Sequence, residues 1–162
     1  MKNINESGRS MVEMLGVLAI IGVLTAGVMS TVNYGIESFR VRAVYDLVEE
    51  TARGVADLYS WKRSYRDDED NPTTNASLMR SKICKNVLDN KCIEGTHATV
   101  KTAWGTLVVE PDNDDATQFK MQLTGVPYGS CNQLRNMEWV NVSLATTACN
   151  ENSTTDLNFT AY

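Results

Sequence analysis

Gly8-Arg9-Ser10-Met11-Val12-Glu13-Met14-Leu15-Gly16-Val17-Leu18-Ala19-Ile20-Ile21 is the stretch on which the fold of this chain turns. A short polar leader, residues 1–8, carries Lys2 and Glu6. Behind it, Glu13 stands at the mouth of an uncharged run from Met14 to Ile36. Those 23 residues make about 34 Å of helix, enough to cross the hydrocarbon core of a bilayer. An acidic group beside hydrocarbon costs several kcal/mol unless it is paired or kept neutral. Whatever compensates Glu13 therefore bears on function.

Three readings compete for this N-terminus. A cleaved secretory signal needs a positive n-region, an apolar core of about 7–15 residues and a small-residue cleavage site. Thr25-Ala26-Gly27 supplies the last, but the uncharged run continues for nine residues beyond it and Glu13 stands where positive charge is wanted. A plain membrane anchor fits the length and leaves Gly8 and Glu13 without a role. The third reading is a resemblance. Gly8, then four residues, then Glu13 and an apolar helix, resembles the class III leader of type IV prepilins and pseudopilins.

The resemblance implies a cut between Gly8 and Arg9 by a membrane-embedded prepilin peptidase on the cytoplasmic side, with the apolar helix kept on the mature protein. The new α-amino group, cationic near neutral pH, would then pair with Glu13, within one subunit or between neighbours in a growing filament. Family members usually carry Phe, Met or Leu after the glycine and are N-methylated there; here the candidate is Arg9. Lys2 and Arg9 precede the span while Arg40, Arg42 and Arg53 follow it, so the charge rule for topology does not decide orientation. The resemblance does: N-terminus cytoplasmic, single pass through the inner membrane, then cell-surface pilus.

The 162 residues and net charge of −5 fit one domain behind an anchor. No basic patch interleaved with aromatics suggests specific nucleic-acid binding. Cations gather between Arg40 and Arg66, alternating with acids along a helix flank. All four cysteines, Cys84, Cys92, Cys131 and Cys149, follow the span, which favours two disulfides in an oxidising compartment. Three pairings are open; the expectation is Cys84–Cys92 and Cys131–Cys149, worth about 2.5 and roughly 3 kcal/mol by loop-closure entropy.

Beyond the span, Ile36, Phe39, Ala43, Val44, Leu47, Val48, Val55, Leu58 and Tyr59 recur at spacings of three and four, one apolar stripe on an amphipathic helix. The helix is expected to run from about Ser10 to Tyr65, near 80 Å, and to stop at the acidic turn 67–71 before Pro72. Gly16, Gly22, Gly27 and Gly35 lie inside it, each costing roughly 1 kcal/mol against alanine. They serve either close helix packing or local melting as the helix moves from lipid into a filament.

A short helix from Ser77 to about Leu88 is expected next. Strands follow at Thr102–Val109 and around Phe119, Met121 and Leu123, joined by a turn at Asp112-Asn113-Asp114-Asp115. A helix from Ser130 to about Met137 would take Ser130 as N-cap and bury Leu134. Val140 and Val142 suggest a third strand, and Asn158-Phe159 a fourth. The fold class is α+β: a long N-terminal helix packed against an antiparallel head stapled by disulfides. Its parts are a leader 1–8, a membrane and assembly segment 9–36, an amphipathic segment 37–66 and a head 67–162.

The head also resembles one branch of the family. Ala103-Trp104-Gly105-Thr106-Leu107-Val108-Val109, and Val126-Pro127 followed by Cys131-Asn132-Gln133-Leu134, are similar to segments of type IVb pilins, in which that cysteine opens a disulfide-bounded C-terminal region.

Enzymatic chemistry finds little support. His97 is the sole histidine, which rules out two-histidine metal sites and leaves a Ser/His/Asp triad hanging on one residue. No C-x₂-C pair offers a zinc site. The acidic run at 112–115 lacks EF-hand spacing and reads as a turn, and the Asn-x-Ser/Thr sequons at Asn75, Asn141, Asn152 and Asn158 as by-products of composition. No cofactor is called for. The expectation is a filament subunit that works by assembly, with identical or related pilin subunits, the prepilin peptidase, an inner-membrane assembly platform and the lipid bilayer as partners. The alternatives are a type II secretion pseudopilin and a membrane-anchored periplasmic binding module.

Overall fold

The computed structural model describes residues 6–67, 71–145 and 147–162, with side chains given from Met11 onward except at position 30. Helix α1 runs Glu6–Tyr59, followed by α2 (Pro72–Asn86), β1 (Ala98–Lys101), β2 (Thr106–Pro111), β3 (Phe119–Val126), α3 (Tyr128–Arg135), β4 (Ser143–Leu144) and β5 (Thr155–Ala161). Two compact units result, one reaching to Phe39 and the other spanning Arg40–Tyr162.

In the first unit, α1 is apolar all round, and from Met11 to Val32 every large apolar side chain is at least half exposed. It is the one described helix long and apolar enough to cross a membrane. Two of its hydroxyls are turned back onto the helix itself. Thr25 Oγ1 donates to the Ile21 carbonyl, and Thr31 Oγ1 to the Gly27 carbonyl at 3.1 Å. That pattern lets a polar side chain sit in hydrocarbon without an unmade bond. A methyl group added at Gly16, Gly22, Gly27 or Gly35 would meet nothing, so the chain itself gives these glycines no packing role.

In the second unit, Val41, Val44, Val48, Ala52, Val55 and Tyr59 of α1 are buried in one core with the apolar residues of one face of the sheet, among them Met121, Leu123, Leu157 and Phe159. This stripe is not quite the expected one. Phe39 is 78% exposed and Ala43 is exposed as well. Ala43 lies about 100° around the helix from Val44, on the side turned away from the core that the Val41–Val44–Val48 line takes.

The helix ends at Tyr59, six residues before the expected Tyr65. Tertiary contacts override its propensity there: the Tyr65 N–H donates to the Ala116 carbonyl at 2.8 Å, and its ring lies 5.4 Å from Tyr59 and 4.8 Å from Phe119. A continued helix would carry Tyr65 away from that stack. Pro72, read in sequence as a stop, instead opens α2. Asn71 caps it by accepting from the Thr73 and Thr74 N–H groups, and proline suits the first helical position because its missing N–H is not needed there.

The five strands form one antiparallel sheet in the order β1-β2-β3-β5-β4. β1 was not foreseen, and the strand expected from Thr102 begins only at Thr106. Residues between are the hairpin turn, closed by the Thr102 N–H to the Gly105 carbonyl at 2.9 Å. The third strand expected at Val140 and Val142 does not form; the backbone of Glu138, Val140 and Asn141 is bonded to α1 instead, and only a two-residue strand follows at Ser143–Leu144. α3 begins after Pro127 rather than at a Ser130 cap; Ser130 is buried within it, and Leu134 is buried as expected. β5 inserts beside β3 and carries the tail into the sheet interior, with a register shift on β3 where Gly125 takes φ 76°.

Gly105 is fixed by close approach. A Cβ there would lie 2.3 Å from the Thr124 carbonyl oxygen, and backbone cannot yield as a side-chain tip does. Gly105→Ala is therefore expected to destabilise the fold by about 3 kcal/mol, read as a lower midpoint in denaturant unfolding of the detergent-solubilised chain.

Candidate functional site

The functional candidate is the start of α1. Gly8 and Arg9 fall in its first turns, and Glu13 is exposed where the apolar surface begins. Residues 1–5 and the Arg9 side chain lie outside the described residues, and the expected cleavage with its amine–carboxylate pairing lies there with them. Adjacent to Glu13 begins a cylinder of Val, Leu, Ile and Met that the chain leaves uncovered, among them Leu15, Leu18 and Ile20, each more than 60% exposed. Geometrically this is a surface for lipid or for other helices.

The second unit is built for rigidity. The two disulfides join Cys84–Cys92 and Cys131–Cys149, the nearest-neighbour pairing. The second of them encloses a segment whose middle is tied to α1 by a carboxylate that sequence reading passed over. Glu49, buried on α1, accepts from the Val140 N–H at 2.8 Å, from the Asn141 N–H at 3.2 Å and from the Asn141 side-chain amide. Tyr45 adds a bond from its hydroxyl to the Glu138 carbonyl at 2.7 Å, and its ring packs on Trp139, which meets Phe159 edge-on. The signal was present only as a Glu at a position in register with the buried valines, where a charge on the core side of a helix calls for donors.

Two more carboxylates hold the turns. Asp67 receives Lys62 at 2.6 Å and Lys82 at 2.5 Å on one oxygen and the Tyr59 hydroxyl at 2.9 Å on the other. Burial alone would raise its pKa, but those three donors outweigh it and hold the carboxyl below its ordinary value. Asp112, first of the acidic run at the β2–β3 turn, is buried; it accepts from the Asp114 N–H at 2.8 Å and from Lys120 at 2.9 Å. There too burial is overcome, by the Asp114 N–H and then Lys120, and the net shift is downward. The turn's most buried carboxylate thus serves its own chain. Among the described residues no three His, Cys, Asp or Glu groups converge to hold a metal. His97 sits at the surface 3.7 Å from Glu110. Asn75, one of the four sequon asparagines, is buried and accepts from the Asp67 N–H, and Asn141 is held by Glu49.

Comparison with known proteins adds no relative: no family model, curated protein or solved structure matches the chain. What stands is a class of molecule, a long apolar N-terminal helix continuing into an α+β unit with two disulfides.

Acid should loosen this unit. Because Asp67 and Asp112 are depressed in the folded state, their contribution is complete above the ordinary carboxylate value of 3.8 and is lost as pH falls through their lower folded values. Thermal unfolding followed from pH 6 down to pH 2 is expected to show that decline, and Asp67→Asn should flatten it.

Proposed function

We propose that the chain is a structural subunit of a type IV pilus, of the IVb kind, made as a prepilin and assembled through α1 into an extracellular filament. The observation that carries the reading is the pairing of Gly8 and Glu13 with an apolar helix that its own chain leaves exposed. A soluble domain does not leave more than a dozen large apolar side chains in water. Lipid covers them before assembly, and neighbouring helices cover them in a filament. The leader keeps the subunit in its membrane-held form. Its removal creates a cationic amine a few residues from Glu13, and the charge pair forms as the helix moves out of lipid.

The second unit fits an exported head. Its disulfides suit an oxidising compartment, and its turns are closed by buried carboxylate contacts that do not depend on a membrane. Adhesion, motility, DNA uptake and conjugation are the functions such a filament serves. A type II secretion pseudopilin would share the anchor and the leader but give no long external fibre, and an anchored binding module would not assemble.

Gly8→Ala is expected to block processing, seen as a band that keeps the leader's mass on a gel. Glu13→Ala is expected to be processed and yet give no filaments in sheared surface fractions viewed by electron microscopy. Normal filament yield from Glu13→Ala would defeat the pairing mechanism.

A further inference from the structure

The face of α2 that meets the Cys84–Cys92 loop carries an arrangement the filament reading does not use. Arg80, Ser81, Cys84 and Lys85 stand at positions one and four apart, so they share one side of the helix. The Cys84–Cys92 disulfide draws the returning chain alongside that side, and Asn90 completes it from a tight turn. Asp89 and Asn90 both take positive φ, 45° and 60°, and the Asn90 N–H is tied to the Cys84 carbonyl at 2.7 Å. Together these residues line a cleft of about 450 Å³.

Its charge runs against the rest of the molecule. The chain carries a net −5, whereas residues 80–91 hold Arg80, Lys82, Lys85 and Lys91 against Asp89 alone. Lys82 is engaged by Asp67, and among the described residues Arg80, Lys85 and Lys91 make no ion pair. Arg80 is half-buried, donates through one terminal nitrogen to the Ile93 carbonyl at 3.3 Å, and has a buried Nε with no acceptor. Apart from that one bond the terminal guanidinium N–H groups have no acceptor among the described residues, which leaves a fixed fork of donors. Lys85 is exposed on the same wall. A serine hydroxyl and an asparagine amide supply neutral donors.

From this we infer that the cleft is a binding site for a tetrahedral oxyanion, the phosphate or sulfate group of a larger ligand. Arg80 supplies the planar fork, Lys85 the point charge, and Ser81 and Asn90 the orienting hydrogen bonds, with the disulfide fixing the distance between the two walls. The site asks nothing of filament assembly, so its failure and the failure of that reading are separate results.

The test uses the full-length ¹⁵N-labelled chain in detergent micelles, titrated with sodium phosphate and in parallel with sodium sulfate, while sodium chloride holds ionic strength constant. Saturable amide shifts confined to Ser81, Lys85 and Asn90 are expected, together with a shift of the Arg80 Nε–H. Lys85→Gln, at an exposed position, is expected to weaken binding about fivefold with an unchanged melting temperature, since it removes one charge-assisted contact. Arg80→Gln is expected to abolish it. A response to both ions assigns the site to tetrahedral oxyanions in general, and a response to phosphate alone assigns it to phosphate esters. No saturable shift with either ion, shifts that chloride reproduces, or a Lys85→Gln variant that binds as tightly as the parent overturns the proposal.

Discussion

From Met11 to Val32 every large apolar side chain of α1 is at least half exposed, and that uncovered apolar surface is the constraint the chain has to satisfy. Each large aliphatic side chain left in water forgoes about 1.5–3 kcal/mol of burial. A run of this length is costly to keep hydrated, and it is long and apolar enough to cross a bilayer. Hydrocarbon excludes unpaired charge, and Glu13 is the acidic side chain at the start of the run. The hydroxyls of Thr25 and Thr31, folded back on their own helix, obey the same constraint in milder form.

The Arg40–Tyr162 unit obeys the opposite rule. It buries its apolar face in its own core and spends its acidic residues on internal contacts. Glu49 holds the segment before β4, Asp67 gathers Lys62, Lys82 and Tyr59, and Asp112 shapes the β2–β3 turn. Together with two disulfides, these contacts give a head whose order does not depend on what surrounds the apolar helix. That separation is what a subunit needs if it is to change environment at one end and keep its shape at the other.

Much of this was legible in the chain. A 23-residue uncharged run, four cysteines confined to the part that follows it, and the alternation through Phe119, Met121 and Leu123 each reflect a local rule, and each has its counterpart in the structure. The errors fall where a distant contact outweighs local propensity. Tyr65 leaves the helix because Phe119 and Ala116 hold it, and 138–142 is not a strand because Glu49 and Tyr45 take its backbone groups. Pro72 carried a usable signal, an asparagine before it, that was read as a stop and not as a cap. The cationic cleft on α2 was invisible because Asn90 joins Arg80 and Lys85 through the tight turn at 89–90 and the Cys84–Cys92 bond. In sequence the conspicuous cations lay between Arg40 and Arg66 instead.

The central claim is that the apolar helix is a retained assembly element released by cutting after Gly8, and not an ordinary anchor or a discarded signal. Determination of the N-terminus of the mature protein, by chemical sequencing and by intact mass, tests it most directly. A chain that begins at Arg9 with the apolar helix still attached is the predicted result. A chain that keeps Met1, or one that begins beyond Thr25, would contradict it.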